Sequence, residues 1–175
     1  ADRFKYNTGY GMSAYDKGSI FLSQLQYVIG KENFDNTLKR YFDDWSFKHP
    51  KPNDFIRSAE KVSGLELDWY LLDWAQSTMT IDYSVNSLYG VDNKTRIVLK
   101  RIGQMGMPID LRIKLKSGKT LDYNIPMTKM RGSKPLQSST LLKSWSWAKP
   151  YYEVWLDINS KNISKITIDP KNEMA

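Results

Sequence analysis

The chain predicts an α+β fold in two parts: an all-α half followed by an antiparallel β-sandwich. Two observations carry this expectation. The period of the apolar residues changes from 3.6 to 2 near Ser77-Thr78. The charge changes at the same place. Residues 1–78 hold ten Lys and Arg against eleven Asp and Glu, while residues 79–175 hold sixteen against eight. All of the formal excess of +7 therefore lies in the second half. The expected division is residues 1–78, helical, and 79–175, sandwich.

Each element has its own signal. Ser13-Ala14-Tyr15-Asp16 reads as a capping box with aspartate in the usual glutamate place. Ile20, Phe21, Leu22, Leu25, Val28 and Ile29 then form a broad helical stripe that Gly30 ends. Phe34, Leu38, Tyr41, Phe42 and Trp45 recur at helical spacing, with Asn33 as the expected cap. His49-Pro50-Lys51-Pro52 breaks the pattern. Asn53 is the expected cap of a short helix carrying Phe55, Ile56, Ala59 and Val62, and Ser63-Gly64 stops it. A last helix carries Trp69, Leu72 and Trp74 and ends near Gln76-Ser77. Beyond the switch, Ile109, Leu111, Ile113 and Leu115 alternate with charged residues, as do Leu121, Tyr123 and Ile125 with polar ones. Ser117-Gly118 between them predicts a hairpin. Further strands are expected at 80–89, 95–102, 151–158 and 163–168, and a loop at 129–140. Short strands at this spacing make a sandwich.

Composition excludes several classes. An apolar content of 41% and an aromatic content of 13% suit a packed core rather than a disordered or fibrous chain. No run of eighteen apolar residues occurs, so no helix spans a membrane. Ala1-Asp2-Arg3-Phe4 carries no leader pattern. One histidine, His49, and no cysteine leave no imidazole or thiolate set for zinc or iron. His49, in a Pro-Lys-Pro turn, reads as a surface or packing residue. Trp145-Ser146-Trp147 places both rings on one strand face by alternation. Packing between the sheets is the expected use, and a stacking platform for sugar or bases is the alternative. Met105, Met107, Met127 and Met130 read as filler of an irregular core. The basic second half is either a solvated strand face or a surface for acidic lipid heads, acidic polymers or nucleic acid. No recognition helix or ribonucleoprotein motif supports the last.

One ordered series carries more. Tyr15-Asp16-Lys17-Gly18 is followed by the stripe Leu22 to Gly30, then Phe34, Tyr41, Phe42 and Trp45. Phe47-Lys48-His49-Pro50, Asp54-Phe55, Ser63-Gly64 and Asp73-Trp74 complete it. This series resembles the gluzincin zinc metallopeptidases of the aminopeptidase N and leukotriene hydrolase family. The resemblance covers residues 10–78 well. It continues more loosely through Gly106-Met107-Pro108 and Ile168-Asp169-Pro170, which resemble the family's β-domain. It implies that residues 1–78 are the helical end of a thermolysin-like catalytic domain. It also implies that Tyr15 is the tyrosine whose hydroxyl points at the substrate carbonyl, with Asp16 replacing the family's glutamate. A phenol donor there stabilises the oxyanion formed when a zinc-bound water attacks, worth roughly 3 kcal/mol by analogy with other oxyanion donors. Tyr10, five residues earlier, would line the substrate pocket. Lys17 and Gly18 read as structural, the lysine lying over the first turn and the glycine sitting where helices approach closely.

The departure from the family pattern is equally clear. The family's His-Glu-x-x-His helix, its further glutamate and its Gly-x-Met-Glu-Asn strand have no counterpart here. The expectation is therefore a C-terminal part of a longer zinc aminopeptidase that removes amino-terminal residues from peptides. Zinc would belong to the full-length parent and none would be bound by this chain, which alone would be inactive. The missing catalytic region would pack on the helical half. A second reading is a non-catalytic binding module whose basic sandwich docks a partner domain or polymer. The sequence carries no sign of compartment.

Overall fold

The computed structural model of the protein describes residues 5–175; Ala1-Asp2-Arg3-Phe4, read above for a leader pattern, lie outside them. The first helical stretch is longer than its apolar stripe. α1 (Asn7–Gly11) runs through a π turn (Met12–Asp16) into α2 (Lys17–Ile29). The expected capping box is absent. Asp16 has helical dihedrals, φ −67° and ψ −53°, and makes no side-chain cap. In continuous helix the amides already have carbonyl partners in the preceding turn, so there are no orphan donors to cap.

Gly30 ends α2 at φ +85°, a conformation that side chains disfavour. α3 (Lys31–Trp45) starts at the next residue. Asn33 is not its cap: it sits inside the first turn, where its Nδ2 donates to the Ile29 carbonyl at 3.0 Å. α4 (Pro52–Ser63) begins before Asn53, the other expected cap. Pro52 fills its first position, where an N–H would have no helical partner anyway. Asp54 supplies the cap instead, its Oδ2 accepting from the Lys51 N–H at 2.7 Å. Gly64, at φ +70°, closes α4, and α5 (Asp68–Gln76) follows. Leu25, Val28, Ile29, Ile56, Leu67 and Tyr70 form the centre of the helical core. Trp69 and Trp74 join it as expected, while Trp45 is half-buried.

The strands are β1 (Tyr83–Val91), β2 (Lys94–Arg101), β3 (Ile109–Leu115), β4 (Thr120–Ile125), β5 (Thr140–Leu141), β6 (Tyr151–Leu156) and β7 (Ile163–Ile168). They form two sheets, ordered β1-β2-β6 and β5-β4-β3-β7. Every pairing is antiparallel except the short parallel contact of β5 with β4, at the end of the expected loop. Gly118, at φ +88°, turns the β3–β4 hairpin. Ile97, Leu99, Tyr152 and Leu156 of one sheet pack with Ile109, Leu111, Ile113 and Ile125 of the other. The fold is α+β, a helical part followed by a sandwich, as the change of period predicts.

The two parts interlock. Met105, Met107, Met127 and Met130, all from the strand half, are buried in the helical core. Flexible thioethers fit the uneven gap between helices and a sheet end. The Tyr27 hydroxyl, on α2, donates to the Pro108 carbonyl and accepts from the Asp110 N–H, both at 3.1 Å. Lys134 Nζ meets Asp110 Oδ2 at 2.7 Å and stands 4.2 Å over the Tyr27 ring. Asn124 Nδ2 donates to the other Asp110 oxygen at 2.7 Å. Burial and the Asp110 carboxylate together push the Tyr27 phenol well above its ordinary range, so it stays protonated.

Trp145 and Trp147 do not share a face. Trp145 is buried between the sheets, against Tyr83 and Tyr152, and its Nε1 donates to the Lys149 carbonyl at 2.9 Å. Trp147 is exposed, with Lys129 Nζ 4.6 Å from its ring centre. Alternation fails because Trp145 sits on an isolated bridge and residues 147–148 form a turn.

Candidate active-site surface

Tyr15, the candidate named from the resemblance, sits on the π turn. A π turn adds one residue to the helix and shifts the direction of the side chains that follow. It places Tyr15 on the outside of the helical half, with 69% of its surface exposed. The Tyr10 ring meets the Tyr15 ring edge-on, 6.1 Å between centres and 88° between planes. The two residues named as candidates are thus brought together.

Their surroundings are open and mix apolar with polar side chains such as Ser13, Asp16 and Lys17. Met12, Ile20 and Leu22 are exposed on the same stretch of helix, and Tyr6 is exposed just before it. Phe21, next to Ile20 in the stripe, turns inward and packs on the Tyr70 ring, 5.0 Å between centres. The Tyr70 hydroxyl donates to the Phe21 carbonyl, and burial pushes its phenol far up. The sequence reading missed Tyr6, Met12 and Leu22, although helical spacing from Tyr10 and Tyr15 links them. Gly18 was expected at a close helix approach. A methyl group built there would meet nothing within 4 Å. Lys17 is exposed beside it.

His49 is exposed in its turn, far along the chain from this surface. Among the described residues no group of three or more His, Cys, Asp or Glu is placed to hold a metal ion. The zinc that the family resemblance implies does not fit this chain's own residues, and no step through it follows from them. Taken alone, this surface offers a phenol donor beside a second aromatic ring. Two clefts occur elsewhere. One of about 510 Å³ lies between the end of α2 and the 134–139 loop; the other, of about 360 Å³, lies beside Trp147. Neither includes Tyr10 or Tyr15.

Known proteins similar to this chain are aminopeptidases and a protease-interacting factor. The profile of the Peptidase family M1 domain matches residues 3–74. Tricorn protease-interacting factor F2 of Thermoplasma acidophilum is 27% identical over 112 residues, 61% of this chain and 14% of its own length. Glutamyl aminopeptidase of Rattus norvegicus is 31% identical over 83 residues, 47% of this chain and 8% of its own. Aminopeptidase N of Escherichia coli is 25% identical over 71 residues, 41% of this chain and 8% of its own. In fold, the chain is similar to aminopeptidase A of Legionella pneumophila, solved in complex with aspartic acid. That similarity has a TM-score of 0.55 at 19% identity and covers 85% of this chain and 16% of that one. The chain thus spans between 8% and 16% of the length of these relatives. Residues 3–74, the helical half with its tyrosine run, thus match the Peptidase family M1 domain, and the chain is similar in sequence to these aminopeptidases.

Proposed function

We propose that this chain is part of a zinc-dependent aminopeptidase that hydrolyses amino-terminal residues from peptides, and that Tyr15 stabilises the tetrahedral transition state. One observation carries the reading: Tyr15 lies in the family-matched segment and is exposed on a π turn beside other exposed apolar side chains. As the scissile carbonyl becomes tetrahedral, negative charge collects on its oxygen. A phenol O–H held there donates more strongly to that oxyanion than to the starting carbonyl, which lowers the barrier. Tyr10, edge-on to Tyr15, would line the pocket for the peptide. The metal ligands and general base would come from a catalytic region outside this chain. That region would cover Tyr6, Tyr10, Met12, Tyr15, Ile20 and Leu22. We place the boundary between the catalytic-domain portion and the β-sandwich at residue 78. The chain by itself would then turn over no peptide.

The test is Tyr15→Phe in the full-length enzyme. The ring and its packing stay and only the hydroxyl goes. We expect kcat to fall on the order of a hundredfold or more, by analogy with single oxyanion-donor deletions, with KM little changed. Bound zinc should stay stoichiometric. An unchanged kcat would make Tyr15 a packing residue, and loss of zinc would mean that it supports the metal site instead.

The binding-module reading has less support. Two arginines of the sandwich are already used within it: Arg112 grips Asp122 through two bonds of 2.7 and 2.8 Å, and Arg96 grips Glu153 at 2.6 and 3.2 Å.

A further inference from the structure

The charge excess of the second half is not used by the proposed catalytic role. Five of its sixteen cations lie at one end of the β5-β4-β3-β7 sheet. Lys114 and Lys165 stand directly opposite each other on β3 and β7. Like charges in that position repel, so the pairing works against the sheet. Lys116 follows in the turn after β3, its N–H held by the Asn162 carbonyl at 2.8 Å. Lys119 and Lys161 flank it, on the hairpin return and beside the start of β7. All five are exposed, and none of the ion pairs among the described residues involves them. Asp122 on β4 is taken by Arg112.

We propose that this sheet end is a docking surface for an anionic lipid bilayer. The chemistry of the patch selects the partner. Protein interfaces favour Arg, Met and aromatic residues and are depleted of Lys. Here the free cations are all lysines, and among the described residues β3, β4 and β7 expose no large hydrophobic side chain. Single-stranded nucleic acid needs rings to stack on, and none is exposed on these strands. Neither of the two clefts described above includes any of the five lysines. Point charges spread over a sheet face suit a broad negative surface that requires no directional partner. Lysines near such a surface each add about fivefold to partitioning, and salt screens the effect.

The experiment uses the full-length protein and sedimentation with vesicles of phosphatidylcholine, with and without 30% phosphatidylserine. We expect binding only to the anionic vesicles, lost when salt is raised tenfold from 50 mM. K114Q/K116Q/K165Q should weaken it on the order of a hundredfold. The matching triple arginine variant should bind like wild type. Removing three helical-half lysines (K39Q/K48Q/K61Q) should weaken it much less. Circular dichroism and peptidase turnover confirm that each variant is folded. Equal binding to neutral vesicles, no binding to anionic ones, or an unchanged K114Q/K116Q/K165Q would each overturn the proposal. Tighter binding to duplex DNA or polyglutamate than to vesicles would overturn the lipid assignment.

Discussion

Asp73 shows how one side chain can work against the fold around it. It lies on α5 between the buried Trp69 and Trp74, and only 8% of its surface is exposed. Burial raises its carboxyl above the ordinary range, and the fields of Lys129 and Arg101 offset only part of this. A raised carboxyl means the folded state holds its proton more tightly than the unfolded chain does. Its contribution to stability is therefore fully present below the unfolded value, about 3.9, and is lost as pH rises through the folded value. Asp73→Asn should raise the melting temperature at pH 7, and the gain should vanish near pH 3. Thermal melts across that range decide it; a lower melting temperature at pH 7 would mean that the Lys129 and Arg101 interactions outweigh burial. Asp122 has the opposite sign. The Arg112 hydrogen bonds hold its carboxyl low, so its contribution is present at neutral pH and fades in acid.

At the scale of the element, the long opening helix is informative. Its second half packs: Leu25, Tyr27, Val28 and Ile29 are buried. Its first half, from Asn7 to the π turn, buries no residue. Gly18 lies between the two, with open space where a side chain would go. In the 175-residue chain, Gly18→Ala should therefore stabilise by about 0.5–1 kcal/mol, from helix propensity alone. Urea titration measures this, and a lower midpoint would show that the helix is not continuous there. In the full-length enzyme, a catalytic region packed on this face would meet the new methyl group, and the gain should disappear or reverse. α3 shows a related split. Its stripe reads as one apolar face, but Phe34 and Thr37 are buried while Leu38 and Phe42 are exposed. Tyr41 meets the Phe55 ring of α4 at 5.1 Å, which sets which side of α3 turns inward. Spacing shows that a helix has an apolar side; the neighbours decide how much of it they cover.

For the whole molecule, the proposed boundary at residue 78 is a change of secondary structure and not a break in packing. Four methionines of the sandwich half are buried among the helices, and Tyr27, Lys134 and Asp110 tie the halves with hydrogen bonds and charge. Unfolding should therefore be one cooperative transition. Residues 1–78 expressed alone should lose fixed tertiary packing, because Leu25, Tyr70 and their neighbours would face water where the methionines were. Near-ultraviolet dichroism tests this, and a native-like signal from that fragment would show that the helical core stands by itself.

Much of this architecture was legible in the residues. Period 3.6 and then 2, with Gly30, Gly64 and Gly118 at the stops, determined the helices, the hairpin and the sandwich, because backbone geometry ties side-chain direction to local sequence. The tyrosine run pointed to the candidate surface, because its residues lie within two helical turns of one another. The caps at Ser13 and Asn33 were misread because a cap depends on whether an amide already has a partner, and that depends on where the neighbouring helix begins. Trp145 and Trp147 were misread because a turn, not a strand, separates their directions. Only the tertiary structure decided the exposure of Tyr15 and the burial of the methionines across the halves. It alone paired Lys114 with Lys165. Each joins residues far apart in the chain or depends on what such residues cover, and local periodicity carries no information about which distant surface arrives.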